Sequence, residues 1–451
     1  MSLTCHFVDK DWNLQKRILN FVNLKSHSGV EIAKVIKAKL FDWNIDGKIC
    51  SVILDNAFSN NVLTRELCQL LQPRGRLLLN GALFRVHCCC HILNLIVQVG
   101  LQPLEMTVSK IRESVRHVRS SHVRLDYFKK AAEQTSAPKK KLVLDVPTRW
   151  NSSYMMLSVA YEFRDAFERL SYFDSDYNGP SHEEWENVKV AKDCLELFYH
   201  VIKRFSGTKY PTANLYFNDV CLIHCTLKKW LKDSCPFIVS MAAHMLEKFN
   251  KYWSTLSLIL SFGCILDPRY KLKTIEFFFD KIYPITQDGG SESDRHIDNI
   301  RVAFAKLYHA YVEEQMNISM DIGFIELDLW LKESSTNQPN KIDLELYFEL
   351  PVLTNYSANF DVLAWWNEEE GKFPILAKIA RDILSIPIST VASESAFSTG
   401  GRILDSYRSS PIALGTIPLA PNLDAETVVE EDVILQAPSY FNDDEDDELQ
   451  E

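Results

Sequence analysis

Six residues, Ile49-Cys50-Ser51-Val52-Ile53-Leu54, form a nearly continuous apolar run that stops on Asp55. A run this short, without polar alternation, reads as a strand covered on both faces, the kind found in parallel sheets flanked by helices. Its neighbours agree. Ile32, Val35, Ile36 and Leu40 fall at helical spacing before Gly47, a helix is expected from about Asn61 to Leu71, and Ala82 to Cys88 reads as another strand. Upstream, Leu3 to Asp9 and Leu14 to Val22 flank the polar break Asp9-Lys10-Asp11 and read as a hairpin. The first hundred residues are therefore predicted to be mixed α/β.

The period changes at Ile92. Leu93, Ile96, Val97 and Val99 open a helix, and amphipathic helical patterns dominate to about residue 345. From Trp185 to Phe205, Ala191, Cys194, Phe198, Val201 and Phe205 share one face, while Lys189, Lys192, Glu196 and Lys203 share the other. Bundle core explains that pattern without a ligand. Loops are expected at Thr135 to Lys141, Asp174 to Ser181 and Gln287 to Asp294. A last folded segment, about Glu345 to Arg408, contains a helix from Phe373 to Leu384 stopped by Pro387, with Ser389-Thr390 as caps for a further helix through Ala396. There is no internal repeat.

The 451 residues carry 60 acids against 49 bases, a net charge of −11, but the excess is local. Pro421 to Glu451 holds 12 Asp and Glu and no Lys or Arg, so residues 1 to 420 carry 48 acids against 49 bases. Pro411 to Pro421 and the acidic end from Asp443 to Glu448 read as disordered. Residues 106 to 150 are the opposite, with 11 Lys and Arg against 4 Asp and Glu. Eleven cysteines without framework spacing suit a reducing compartment better than a disulfide scaffold, and no secretory signal or membrane span is expected. Cys221, His224 and Cys225 lie close together, but no second ligand pair follows at zinc-finger spacing.

Four stretches carry more specific information. They are Leu54-Asp55-Asn56-Ala57 with Ser59-Asn60-Asn61; Cys88-Cys89-Cys90-His91-Ile92-Leu93-Asn94-Leu95; Pro147-Thr148-Arg149-Trp150-Asn151-Ser152-Ser153; and the run from Val391 to Arg402, which contains Ser393-Glu394-Ser395-Ala396-Phe397. Their order and separation resemble the hAT transposase family, above all its plant RICESLEEPER-like, domesticated members, over about residues 1 to 410.

That resemblance implies a fold of the α/β plus all-α class: an RNase H-like sheet interrupted by a large helical insertion, then a disordered acidic tail. It apportions residues 1–100 to the N-terminal part of the RNase H-like domain and 101–344 to the helical insertion. Residues 345–410 become the dimerisation region with the last catalytic helix, and 411–451 the tail. Catalysis in such a family uses three carboxylates that hold two divalent metals during DNA strand cleavage and transfer. Mg²⁺ or Mn²⁺ is the implied cofactor, for which carboxylate oxygens are the fitting ligands. By motif, Asp55 resembles the second carboxylate and Glu394 the third, so these two would be the metal ligands. The first carboxylate belongs to a strand upstream of the one matching Leu3 to Asp9, where only Met1 and Ser2 stand. The triad is therefore expected to be incomplete, and the sheet to lack the strand between Leu3–Asp9 and Ile49–Leu54. Either those two strands close the gap or the protein begins further upstream; Asp9 and Asp11 could substitute only if the hairpin turn reached the metal site. The family's BED zinc finger is also absent from this stretch.

Cys88 and His91 match the family's C-x-x-H element, read here as packing at a strand-to-helix junction in preference to zinc ligation. Arg149 and Trp150 match a pair whose indole stacks on a displaced base while the guanidinium contacts phosphate; a buried structural Trp is the competing reading. Arg112, Arg116 and Arg119, with Lys110 before them, could line one helix face towards DNA phosphates, although a solvated face has the same pattern. Trp365, Trp366, Leu376, Ile379 and Ile383 exceed what one helix face needs and are expected to bury against a partner. Together these readings give a nuclear, DNA-binding, homodimeric, transposase-derived protein without transposition activity. Its binding needs no cofactor, it has no membrane contact, and its acidic tail is free for a protein partner. The alternatives are a fragment of an active metal-dependent transposase, or a protein-interaction module only.

Overall fold

The structure, a computed structural model, describes residues 1–57, 59–72, 77–135, 137–146, 150–253, 258–283, 292–320, 342–357 and 359–391. Strands β1 (Ser2–Val8) and β2 (Leu14–Phe21) are followed by α1 (Gly29–Asp42), β3 (Val52–Leu54), α2 (Ser59–Leu71), β4 (Arg85–His87) and α3 (Cys89–Leu101). The chain is then helical: α4 (Glu105–Arg119), α5 (His122–Gln134), α6 (Trp150–Glu162), α7 (Arg164–Leu170), α8 (His182–Phe205), α9 (Ala213–Trp230) and α10 (Pro236–Trp253). It continues through α11 (Leu258–Ile265), α12 (Lys271–Ile282), α13 (Glu292–Met320), α14 (Asp343–Glu349), α15 (Val362–Glu369) and α16 (Pro374–Leu384). The expected helix through Ala396 and the acidic tail lie outside the described residues, as do parts of the expected loops at 135–141 and 287–294. No helix among the described residues is long and apolar enough to cross a membrane.

The hairpin forms where the sequence places it. β1 and β2 pair antiparallel from Ser2↔Phe21 to Val8↔Leu14, with a register shift between Leu3 and Thr4. Asp9 organises the turn: its carboxylate accepts from Asp11 N at 3.0 Å, Asn13 N at 2.9 Å and Gln15 Nε2 at 2.7 Å. These bonds hold the Asp9 carboxyl below its ordinary pKa. Both Asp9 carboxylate oxygens thus take part in the turn. α1 starts at a Ser28 cap that accepts from Glu31 N, and its Ile32, Ala33, Ile36 and Leu40 pack in one cluster with Leu63, Leu67 and Leu71 of α2.

β3 pairs with β4 in parallel, as the apolar run suggests, with Val52↔Arg85, Ile53↔Val86 and Leu54↔His87 in register. The sheet itself departs from expectation. Among the described residues the four strands form two separate pairs, β1–β2 and β3–β4, so β1 and β3 do not close on each other. The cover is thinner too: Val52, Ile53 and Leu54 are only half-buried. A strand without neighbours on one side loses both ladder bonds and burial, which accounts for the apolar run of six shortening to a strand of three.

The described residues group into two compact units. One comprises Ile92–Lys203 and Thr226–Ser254. Its core gathers Val108, Ile111, Val115 and Val118 of α4 with Phe128, Phe163, Phe167 and Trp185, in the helical pattern the sequence announces. The other unit comprises Met1–His91, Arg204–Cys225 and Thr255–Pro411. Within it α16 packs against α11, α13, α14, α15 and β1. Polar ties fix this core. Trp366 Nε1 donates to Leu266 O at 2.8 Å, Tyr347 Oη donates to Ile265 O at 2.8 Å, and Lys271 Nζ donates to Tyr347 O and Leu350 O at 2.7 and 2.9 Å.

Candidate functional site

The ends of β3 and β4 lie side by side, since Leu54 pairs with His87 and Cys88 N donates to Leu54 O at 2.9 Å. Ligand sites of open parallel sheets gather at such carboxyl ends. Asp55, the first residue after β3, is exposed. Its Oδ1 accepts from Ala57 N at 3.0 Å and from Asn60 Nδ2 at 2.5 Å, closing the turn into α2.

Two further pairs complete the surroundings. Arg85 and His87 stand two residues apart on β4 and so share one face. Arg85 Nη1 donates to Asn61 Oδ1, and His87 Nδ1 donates to Asn56 Oδ1 at 2.5 Å. Burial pushes His87 below its ordinary pKa, and the neighbouring Arg85 charge adds to the shift. Burial also lowers Arg85, while Asp55 acts in the opposite sense. Asn56 Nδ2 and Arg85 Nε are buried without hydrogen-bond partners among the described residues. Asn56 and Asn61 stand in the first sequence motif without an assigned role, and Arg85 lies outside all four motifs; its signal in the sequence is a charged residue two positions before the end of a short apolar strand.

Cys88 is buried, and its Sγ accepts from Thr390 N at 3.4 Å and Thr390 Oγ1 at 3.3 Å. Cys89 N donates to Ile388 O at 2.9 Å, and Ser389 Oγ donates to Phe205 O at 3.0 Å. The returning C-terminal segment is thereby fastened beside the strand ends. His91 is half-buried on α3. Asp55 offers the oxygen chemistry that Mg²⁺ or Mn²⁺ takes, whereas the Cys88 thiol, committed to Thr390, does not suit a hard cation. Among the described residues no three His, Cys, Asp or Glu side chains gather as a metal centre requires. Glu394 lies outside the described residues, four positions beyond Thr390.

The basic surface is narrower than its charge count. Arg112 forms a two-pronged pair with Asp145, Nε to Oδ1 and Nη2 to Oδ2, both at 2.7 Å, and the Asp145 carboxylate is buried. Arg112 is therefore a structural group and not part of a phosphate-facing row; the Asp145 bond holds its pKa above the ordinary value. Lys110 pairs with Glu184 at 2.9 Å, Lys140 with Glu162 at 2.8 Å, and Arg124 with Asp174 at 3.5 Å. Arg116 and Arg119 are exposed on α4. Arg149 lies outside the described residues, and Trp150 is 3% exposed at the start of α6, so its indole is a core side chain and presents no face to a base.

The residues expected at a dimer interface are also redirected. Trp366, Leu376, Ile379 and Ile383 are each 0% exposed within the single chain, and only Trp365 is half-buried. Their apolar excess is absorbed by neighbouring elements of the same unit.

Comparison with known families matches residues 1–83 to the ZBED1 RNase-like domain and 86–194 to the ZBED1 RNase-like helical domain. Residues 214–311 match the hAT-like transposase, RNase-H fold, and 343–411 the hAT family C-terminal dimerisation region. A Zea mays relative carrying the AC transposase name is 37% identical over 429 residues, covering 90% of this chain and 52% of its own. Zinc finger BED domain-containing proteins RICESLEEPER 2 and RICESLEEPER 1 of Oryza sativa subsp. japonica are each 34% identical over 442 residues, covering 91% of this chain and 60% of theirs. The chain thus spans about half to three-fifths of the length of these relatives.

Proposed function

Because this chain belongs to the hAT transposase family, we propose that it is a DNA-binding, dimerising nuclear protein that does not by itself carry out transposition. The observation that carries this reading is the run of family matches in chain order, from the ZBED1 RNase-like domain over residues 1–83 to the hAT family C-terminal dimerisation region over 343–411. DNA contact is supported by the exposed Arg116 and Arg119 on α4, and dimerisation by the family match over residues 343–411. Nuclear residence follows from a DNA target and accords with the zinc-finger names of the rice relatives. Binding by phosphate neutralisation needs no cofactor. The acidic tail, with 12 Asp and Glu over residues 421–451, suits a basic protein partner.

The test pairs anisotropy of a labelled 20-base-pair duplex at graded salt with a nicking assay in Mg²⁺ or Mn²⁺. Expected are salt-sensitive binding and intact duplex. Binding that is absent at low salt would leave the interaction-module reading in its place.

One observation favours a second reading, in which this chain is part of an active transposase. The Cys88–Thr390 contact brings the chain, four residues short of Glu394, to the strand ends that bear Asp55. Four residues span at most about 14 Å, so Glu394 has a short path to the same site. There Asp55 and Glu394 would hold Mg²⁺ or Mn²⁺ together with a carboxylate from a strand beside β1 and β3. Metal-dependent cleavage by a longer protein, abolished by Glu394→Gln with binding retained, would establish it.

A further inference from the structure

Residues 106 to 150 carry 11 Lys and Arg against 4 Asp and Glu, and the fold uses only part of that surplus. Arg112 is closed by Asp145, Lys110 by Glu184, Arg124 by Asp174 and Lys140 by Glu162. Arg116 on α4, Lys130 on α5 and Lys139 just after α5 are exposed and form no ion pair among the described residues. α4 and α5 pack against each other within one compact unit, so Arg116 and Lys130 stand on a packed pair of helices. Like charges held on such a pair repel, and a linear polyanion relieves the repulsion without the cations having to converge on one point.

The chain carries a polyanion of its own. Asp443 to Glu448 are six consecutive acids, and from Pro421 to Glu451 there is no Lys or Arg to neutralise them. Drawn out as a strand, such a run bears one charge per about 3.3 Å, close to the axial spacing of about 3.4 Å on one strand of duplex DNA. Its length would be about 20 Å, the same as the rise of a 13-residue helix such as α5. Residues 392–442 lie between the last described residue and the run, a contour of up to about 170 Å, so the tether does not limit its reach.

We propose that the acidic tail docks on the α4 and α5 cations of its own chain and masks them from DNA. The docking follows from charge and tether, whereas the masking rests on the DNA-binding reading above. A duplex must then displace the tail before it reaches Arg116.

Affinity for the 20-base-pair duplex is measured at graded salt for the full chain and for a full-length variant with the run neutralised, Asp443→Asn, Asp444→Asn, Glu445→Gln, Asp446→Asn, Asp447→Asn and Glu448→Gln together. In parallel, anisotropy follows a labelled peptide of residues 439–451 added to the neutralised chain, with and without Arg116→Gln and Lys130→Gln. A tether that holds the tail at about 1 mM turns a contact of about 0.1 mM into about tenfold masking. Neutralisation is therefore expected to raise duplex affinity about tenfold at low salt, with the gain shrinking as salt rises. The peptide should bind the neutralised chain and lose affinity when Arg116 and Lys130 are replaced. No peptide binding at low salt, or equal binding after those replacements, would overturn the docking and leave the tail to a separate basic protein. Peptide binding with unchanged duplex affinity would overturn the masking. Peptide binding as expected by a chain that takes no duplex with either tail would overturn the DNA reading and leave the tail on α4 and α5. A mass by light scattering that falls on neutralisation would overturn the same-chain contact and hand the tail to a second copy.

Discussion

The Arg381 guanidinium lies over the Trp12 indole, 4.4 Å from the ring centre, and so ties the tip of the β1–β2 hairpin to the α15–α16 corner. Glu370 completes the tie, accepting from Trp12 Nε1 at 3.1 Å and from Arg381 Nη2 at 3.0 Å. Arg381 Nη1 also donates to Asp9 O at 3.1 Å. The turn that Asp9 shapes is thus docked on the dimerisation region, with Arg381 372 residues from Asp9 in sequence, and this is why Trp12, in a polar turn, is only 4% exposed.

Trp12 also sits at φ 62°, where a side chain strains the backbone and glycine does not. Trp12→Ala is expected to cost about 3–5 kcal/mol, as for other buried aromatic truncations. Trp12→Gly leaves the same cavity but relieves the backbone, so it should be less destabilising by up to about 1 kcal/mol. Urea midpoints check the order, which is the reverse of the usual preference for alanine; alanine coming out more stable would show that the strained conformation is not kept.

Arg112 and Arg116 lie one helical turn apart on α4 and should behave in opposite ways. Arg112→Gln strands the buried Asp145 carboxylate, which among the described residues keeps only the Ser153 hydroxyl at 2.7 Å, and should destabilise by about 3–5 kcal/mol. Arg116→Gln alters an exposed site, should leave stability within about 0.5 kcal/mol, and should weaken DNA binding. Unfolding and anisotropy on the two variants read both effects. A stable Arg112→Gln with reduced DNA affinity would return Arg112 to the binding surface.

Leu376 and Ile379 belong to the chain's own core, so their truncation should act on folding before it acts on association. Leu376→Ala and Ile379→Ala are each expected to cost about 2–5 kcal/mol at every protein concentration. Light scattering alongside denaturation separates the effects: a lost dimer with an unchanged concentration-independent midpoint would place these side chains in the interface.

Local pattern made the hairpin, the parallel β3–β4 pair and the long α8 legible, because each rests on periodicity and turn chemistry within a few residues. Asp55 at a strand end was legible for the same reason. The fate of Arg112 was not: a row of arginines looks the same whether it faces water or a carboxylate 33 residues away. Trp366 and Ile379 illustrate a second limit, since an apolar surplus on α16 is buried equally well by α11 and α13 or by a partner. Trp150 shows a third, because motif position says where an indole stands in the chain and not whether its face is covered.

His6 gives the hairpin a pH dependence of definite sign. It lies opposite Lys16 in the strand register, and burial first, then the Lys16 charge, lowers its pKa to about 4. In the unfolded chain the imidazole takes its proton near pH 6.5, as an unperturbed histidine does. Between pH 6.5 and 4 the unfolded state therefore binds more protons, so the contribution is fully present above about pH 6.5 and is lost as pH falls towards 4. The loss amounts to roughly 3 kcal/mol. His87, also lowered, adds a slope of the same sign, so the readout is the difference between wild type and His6→Gln in urea midpoints at pH 7, 5.5 and 4.5. His6→Gln should flatten the acid limb, and Lys16→Gln should reduce it by raising the folded pKa of His6. Parallel pH profiles for wild type and His6→Gln would mean that the His6 ring is hydrated in the folded hairpin and exerts no linkage.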